Sequence, residues 1–100
     1  MASDQPGNGI HVLVSGRVQG VGFRYFLKQS ADTAGVGGWV RNLRDGRVEA
    51  VLEGPPDAVQ EVLDDIGRGP PAARVEEVIT RPALAPEMAL AREPLEVRRG

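Results

Sequence analysis

The chain has 100 residues, of which 41% are hydrophobic and 26% are charged, and its formal net charge is −2. This length suits one domain with a modest core, and the charge balance excludes a general basic field that would attract nucleic acid. The absence of cysteine excludes disulfides, thiolate metal sites and a cysteine nucleophile, and a single histidine, His11, excludes a histidine-rich metal site.

The first residues are polar and irregular, whereas the rest of the chain has apolar patterns. Residues 1–8 contain proline, glycine and asparagine without apolar periodicity, so we expect a flexible tail followed by one domain over residues 9–100. The tail lacks the charged start and apolar centre of a signal peptide, and no apolar run is long enough to cross a membrane. We therefore expect a cytoplasmic protein without membrane association.

A glycine-rich loop connects the first predicted strand, residues 10–15, to a predicted helix that begins at Phe23. Gly16, Gly20 and Gly22 allow tight turns and positive φ angles. Such a loop can aim several N–H groups at one point, and the first-turn amides and the dipole of the helix add to the same positive focus. Since Arg24 adds a planar fork of donors, the pattern predicts an oxyanion cradle, with phosphate as the first candidate.

Two common nucleotide motifs do not fit this loop. The Walker pattern requires Gly-Lys-Ser/Thr, but the only lysine of the chain is Lys28, outside the loop. A dinucleotide fingerprint that starts at Gly20 would end at Tyr25 instead of a glycine. The simpler interpretation is a tight turn in which Arg24 is a solvated helix residue, and the loop alone leaves both interpretations open.

A β-hairpin is predicted by two strand-like runs, residues 39–42 and 47–52, on either side of an Asp45–Gly46 pair. Alternating apolar residues in the second run predict one covered face of the sheet and one mostly hydrated face. Asn42 lies at the end of the first run. Taken alone, it is a turn-forming residue that hydrogen-bonds to its own backbone.

Two helices and two further strands complete the pattern. Apolar spacing predicts helices over residues 23–34 and 54–66, each followed by glycine. Residues 73–80 predict a strand whose imperfect alternation suggests a bulge, residues 81–94 hold three prolines and predict a long loop, and residues 95–98 predict a short extra C-terminal edge strand. The order βαββαβ is typical of an α+β sandwich, in which two helices cover one face of a mostly antiparallel sheet and the first and third strands meet at its centre.

Two stretches of the chain resemble the signatures of acylphosphatases. The run from Gly16 to Arg24 is similar to the first signature, G-x-V-Q-G-V-x-F-R, and residues 38–48 are similar to the second, G-W-V-x-N-x-x-x-G-x-V. Two independent motifs in the family's order make the resemblance specific. It implies a ferredoxin-like fold in which the glycine-rich loop and the end of the Asn42 strand lie side by side.

The resemblance also implies hydrolysis of the carboxyl-phosphate bond of an acyl phosphate to carboxylate and inorganic phosphate. The leaving carboxylate needs no general acid, because its conjugate acid has a pKa of about 4, so positioning and charge stabilisation remain as the enzyme's contribution. Arg24 and Asn42 are then the expected catalytic residues, with Asn42 orienting the attacking water. Together with Arg24, the phosphate would be held by backbone N–H groups of Arg17, Val18, Gln19, Gly20, Val21 and Gly22.

The expected enzyme needs no metal, no cofactor and no covalent phosphoenzyme. Its partner would be a small-molecule acyl phosphate, with inorganic phosphate or sulfate as competing anions, and it would act as a monomer. One alternative is a non-catalytic anion-binding regulatory module, which would retain phosphate without hydrolysing acyl phosphates. A nucleic-acid module is disfavoured, because three of the four aromatic residues lie in the first helix and the aromatic pattern of RNA-binding sheets is absent.

Overall fold

The computed structural model describes residues 9–99 as one five-stranded sheet with three helices. The elements are β1 (Gly9–Arg17), α1 (Phe23–Ala34), β2 (Gly37–Asn42), β3 (Val48–Glu53), α2 (Pro56–Arg68), β4 (Arg74–Pro82), α3 (Ala85–Met88) and β5 (Glu96–Val97). The predicted tail, residues 1–8, lies outside the described residues. Within residues 9–99, every helix is too short and too polar to cross a bilayer.

The strand order of the sheet is β4-β1-β3-β2-β5. All neighbouring strands are antiparallel except β2 and β5, which are parallel. The predicted ferredoxin-like α+β sandwich is confirmed, with the first and third strands adjacent and a short C-terminal strand at one edge. The ends of β1 and β2 and the residues that follow β5 therefore meet at the same end of the sheet.

The main core lies between the sheet and helices α1 and α2. Alternate residues of the two central strands face the helices and are fully buried: Val12, Val14, Val48, Ala50 and Leu52. The helices complete this core with apolar residues three or four positions apart: Phe23, Leu27, Ala31, Val59, Val62 and Ile66. Since burial of one such large side chain contributes about 1.5–3 kcal/mol, this packing holds the start of α1 beside the end of β1.

The second face of the sheet is more covered than its sequence pattern indicates. Trp39 and Val51 are buried on this face beneath residues 83–88. The prediction of a long irregular loop over residues 81–94 is wrong, because β4 continues to Pro82 and α3 follows it. A helix of one turn is too short to show a period in the sequence. Contact with the second face of the sheet supports α3 instead.

A bulge in β4 accommodates the end of β1. Ser15 is paired with Glu77 and Gly16 with Val75, so Glu76 is an extra residue without a partner on β1. The predicted irregularity of this strand is thus confirmed. Gly16 has a φ of 124°, and a Cβ there would lie 2.1 Å from a backbone carbonyl oxygen of β4, so this position requires glycine.

Gly38 in β2 should tolerate no side chain. It has a φ of 133°, and a Cβ there would lie 1.7 Å from the carbonyl oxygen of Val51. We expect Gly38→Ala to lower the free energy of unfolding by about 3 kcal/mol or more, since backbone strain and overpacking each cost ~1–3 kcal/mol. Urea denaturation followed by Trp39 fluorescence measures this loss.

Gly67→Ala is the matched control for this experiment. A Cβ at Gly67, within α2, would meet nothing within 4 Å. The same substitution should therefore leave the free energy of unfolding unchanged or raise it by up to ~1 kcal/mol. Similar losses in Gly38→Ala and Gly67→Ala would contradict the steric explanation.

Candidate active site

The loop between β1 and α1 leaves its backbone N–H groups without acceptors in the part of the chain that the structure describes. Gly20 and Gly22 have φ angles of 74° and 78°, which glycine adopts readily and other residues do not. A Cβ at either position would meet nothing within 4 Å, so the space above the loop is open. Among residues 9–99, no backbone carbonyl accepts a hydrogen bond from the N–H groups of residues 18–22.

Two valines hold the loop against the core. Val18 is only 1% exposed, and Val21 packs against the core cluster. At the end of the loop, Gly22 is the N-cap residue of α1 in a left-handed conformation and makes no side-chain capping bond. The first-turn N–H groups of α1 therefore remain available to an anion beside the loop.

Gln19 connects the loop to the turn after β2. Its Nε2 atom donates hydrogen bonds to the carbonyl oxygens of Leu43 at 2.7 Å and Arg47 at 2.9 Å. These two carbonyls flank the turn that begins directly after Asn42. The loop and the end of β2 thus lie side by side, as the resemblance implied.

Asn42 provides a buried acceptor at this end of the sheet. It is the last residue of β2, and its Oδ1 atom is buried without a hydrogen-bond partner among the described residues. An unsatisfied buried acceptor costs about 1–3 kcal/mol, so its presence in a folded protein needs an explanation. The Oδ1 atom is free to accept a hydrogen bond from a bound water molecule or ligand.

Arg24 is held at the same end of the molecule by the segment after β5. Its Nη1 atom donates to the carbonyl oxygen of Arg98 at 2.7 Å, and the N–H group of Arg98 donates to the carbonyl oxygen of Val40 at 2.8 Å. The remaining guanidinium donors of Arg24 can serve a ligand. The contribution of Arg98 was missed at the sequence level, because nothing local links residues 24 and 98.

The turn beside the loop carries an excess of positive charge. The Arg47 Nε atom donates to the Asp45 carboxylate at 2.9 Å, and this hydrogen bond lowers the pKa of Asp45. Arg44, in the same turn, makes no ion pair among residues 9–99. Arg24 and the exposed Arg17 at the end of β1 make this end of an acidic protein attractive to anions.

The groove at the opposite end of the sheet has a different character. It has a volume of about 620 Å³ and is lined by glycine, proline and the carboxylates of Glu53 and Glu93. Neither arginine nor lysine lines it, so an anionic ligand is disfavoured there in spite of this volume. Charge therefore favours the loop end as the candidate site.

A cluster of ionisable side chains lies on the second face of the sheet. The Nε2 atom of His11 lies 2.7 Å from Glu49 Oε2 and 3.8 Å from Glu87 Oε2. The Arg41 Nε atom donates to Glu49 at 2.7 Å, and Arg81 contacts both oxygens of Glu87 at 3.0 Å and 2.6 Å. The side chains of His11, Glu49 and Glu87 could converge on a metal ion. Such an ion would have to displace Arg41 from Glu49 and Arg81 from Glu87. The arrangement fits a structural ion-pair network.

Hydrogen bonds determine the protonation of both carboxylates in this network. Burial raises the pKa of Glu49, but hydrogen bonds from His11 and Arg41 outweigh that effect and the pKa is lowered. The hydrogen bond from Arg81 lowers the pKa of Glu87 from 4.5 to about 2. Both groups are therefore ionised at neutral pH.

Comparisons with known proteins agree with this arrangement. The acylphosphatase family model matches residues 10–88. An acylphosphatase of Gloeobacter violaceus is 60% identical over 68 residues, which cover 68% of this chain and 73% of that protein. The solved acylphosphatase of Coxiella burnetii superposes with a TM-score of 0.80 at 35% identity, covering 91% of this chain and 92% of that one. The Bacillus subtilis acylphosphatase has a TM-score of 0.76 at 36% identity, covering 90% and 97%.

The strand order defines a ferredoxin-like α+β domain, and an open glycine-rich loop lies at one end of its sheet. Within that broad class, the family model covers more than half of the chain, and relatives more than half identical to it cover over two thirds of its length. The chain belongs to the acylphosphatase family and is a hydrolase.

Glu87 should make the packing of residues 83–88 on the second face of the sheet sensitive to acid. Its pKa in the folded protein is about 2 against 4.5 as the usual value, so its stabilising contribution is complete above about pH 4.5 and is lost as the pH falls toward 2. Trp39 Nε1 donates to the Glu87 carbonyl oxygen at 3.0 Å, so Trp39 fluorescence reports the release of residues 83–88. We expect the free energy of unfolding to fall over this range in the parent and to change less in Glu87→Gln.

Glu76→Gln is the control for the acid titration. It removes a carboxylate from an exposed position that makes no ion pair among residues 9–99. This variant should keep the pH dependence of the parent. A parent-like pH dependence in Glu87→Gln would contradict the role of the ion pair with Arg81.

Proposed function

We propose that this protein hydrolyses the carboxyl-phosphate bond of small-molecule acyl phosphates to carboxylate and inorganic phosphate without a metal ion. One arrangement carries the proposal: the loop whose N–H groups at residues 18–22 have no backbone acceptor among residues 9–99 is tied by Gln19 to the turn directly after Asn42. The Oδ1 atom of Asn42 is buried there without a partner among the described residues. Membership in the acylphosphatase family supports the reaction class.

The loop is proposed to hold the phosphoryl group. Backbone N–H groups from Arg17 to Gly22 and the guanidinium of Arg24 would donate to its oxygens, so that inorganic phosphate and sulfate would compete with the substrate. Because Val18 and Val21 anchor the loop in the core, these donors are oriented before the substrate arrives. Preorganised donors stabilise the charge of the transition state more than that of the ground state.

Asn42 is proposed to orient the attacking water. Its Oδ1 atom would accept a hydrogen bond from the water, whose oxygen forms the new bond to phosphorus as the bond to the acyl oxygen breaks. The electron pair of the broken bond leaves with the carboxylate, which needs no general acid because its conjugate acid has a pKa of about 4. The phosphoryl group itself would receive the proton of the water.

His11 is not proposed as the base for this reaction. Its Nε2 atom is engaged with Glu49 at 2.7 Å on the second face of the sheet, whereas Asn42 follows Val40 on the helix-facing side. The proposed chemistry therefore depends on positioning and on charge stabilisation, as phosphoryl transfer generally does.

A non-catalytic anion-binding module remains the second candidate. Inorganic phosphate keeps a proton at neutral pH, and that P–O–H group could donate to the Asn42 Oδ1 atom as a water molecule could. The buried Oδ1 atom fits both candidates, and turnover is the property that distinguishes them.

Hydrolysis of benzoyl phosphate in excess EDTA tests the proposal. We expect fast turnover by the parent, because the positive charge would come from Arg24 and backbone N–H groups. Asn42→Ala should lose ~10²–10³ in kcat, the usual cost of removing one positioned polar group, and Arg24→Ala should lose both binding and turnover. Arg44→Ala is the control, since it removes an exposed arginine of the neighbouring turn and should keep most of the activity.

The alternatives predict different results in this assay. Parent turnover that stops in EDTA would overturn the metal-free mechanism, and normal turnover by Asn42→Ala would overturn the role of Asn42. Absence of turnover, with phosphate bound by the parent and not by Arg24→Ala, would establish the binding module instead.

Gln19 should support activity indirectly through the position of the loop. Gln19→Ala leaves the carbonyl oxygens of Leu43 and Arg47 without the donor that joins the loop to the turn. Because small displacements of positioned groups cost up to ~10² in rate, we expect kcat/KM for benzoyl phosphate to fall roughly ten- to a hundredfold. Gln60→Ala, which removes an exposed amide on α2 bonded to Asp64, is the control and should act like the parent.

A further inference from the structure

Two arginines lie side by side on the second face of the sheet, next to the candidate site. The parallel pairing of β2 with β5 matches Trp39 with Glu96 and Val40 with Val97, so the next pair along the strands is Arg41 and Arg98. Their guanidinium carbons lie 5.6 Å and 5.7 Å from the centroid of the Trp39 ring. Like charges at directly neighbouring strand positions repel, and the indole ring compensates this repulsion only in part.

Of these two arginines, only Arg41 has a carboxylate partner among residues 9–99. Glu49 accepts a hydrogen bond from Arg41 at 2.7 Å, but it also contacts His11 at 2.7 Å. The Arg98 side chain makes no hydrogen bond or ion pair among residues 9–99. The Arg41 side chain is 40% exposed, so a ligand can reach the donors that Glu49 does not use.

We propose that Arg41 and Arg98, stacked on Trp39, form a second anion-binding site that takes a carboxylate or a phosphate group. Two planar guanidinium forks match the oxygens of either group, and a bound anion removes the repulsion between them. The source of the anion is either the terminal carboxylate of an acyl phosphate derived from a dicarboxylic acid or a free anion in solution.

The second site adjoins the proposed phosphate cradle through one residue. The carbonyl oxygen of Arg98 accepts the hydrogen bond from Arg24 at 2.7 Å, while the side chain of Arg98 lies over Trp39. A short acyl chain held at the cradle could therefore present a terminal carboxylate to Arg98. In this form the inference rests on the proposed function, whereas binding of a free anion does not.

Fluorescence tests the site without any catalysis. Trp39 is the only tryptophan of the chain, and withdrawal of a guanidinium from its ring by an anion will change its emission. We expect saturable changes on titration with succinate or inorganic phosphate in the parent and in Arg24→Gln. In Arg98→Gln the same titrations should be about tenfold weaker, as expected for the loss of a charge-assisted hydrogen bond.

Arg44→Gln is the matched control in these titrations. It removes the same charge from a neighbouring exposed position and should bind both anions like the parent. All titrations are made at low ionic strength, because the site is partly exposed and salt screens its charge. A signal that is not saturable, or that falls equally in Arg44→Gln and Arg98→Gln, would overturn the second site.

Kinetics with two substrates identifies the source of the anion. Succinyl phosphate carries a terminal carboxylate and benzoyl phosphate does not. If the acyl group supplies the anion, the ratio of kcat/KM for succinyl phosphate to that for benzoyl phosphate should fall about tenfold in Arg98→Gln and stay unchanged in Arg44→Gln. An unchanged ratio with a lost fluorescence response supports a site for free anions.

The two proposals can fail separately. Absence of benzoyl phosphate hydrolysis by the parent would reject the proposed function, and the fluorescence titrations alone would then decide the second site. Normal hydrolysis without an Arg98-dependent fluorescence response would reject the second site and leave the proposed function intact.

Discussion

The packing of Val18 and Val21 against the core fixes the position of the loop between β1 and α1. Both side chains occupy the core side of the loop, so the backbone between them faces solvent and its N–H groups find no acceptor within residues 9–99. In an ordinary turn such groups would be bonded to neighbouring carbonyls. Here the hydrophobic anchoring keeps the donors together, and the open space over Gly20 and Gly22 makes them accessible. An anion is the ligand that this arrangement can satisfy.

Strand β2 contributes to both faces of the sheet because successive side chains alternate. Val40 is buried toward the helices, and Asn42 follows it on that side, beside the loop. Trp39 and Arg41 lie on the other side, within the network of His11, Glu49 and Glu87. This division explains how a buried histidine and two partly buried carboxylates can lie on the second face without belonging to the candidate site. Arg98 connects the two sides, since its carbonyl oxygen accepts a hydrogen bond from Arg24 while its side chain lies over Trp39.

Most of the fold could be predicted from local patterns. The Asp45–Gly46 pair indicated the hairpin, helical spacing indicated α1 and α2, and the βαββαβ order indicated the central position of β1 and β3. Residues 81–94 could not be predicted, because α3 is a single turn that is supported by Trp39 and Val51 across the sheet. Val51 was the one local indication that a segment covers this face, because it is apolar at a position where alternation predicts a polar residue.

The sequence by itself determined the composition of the candidate site: the glycine spacing of the loop, Arg24 at the start of a helix and Asn42 at the end of a strand. Those features are local, since backbone conformation and periodicity depend on near neighbours. Only the tertiary structure decided that Gln19 bonds to the turn, that Arg98 holds Arg24, and that the Asn42 oxygen has no partner among the described residues. These facts join residues up to 74 positions apart, and such contacts arise from the packing of helices and strands and not from any local pattern.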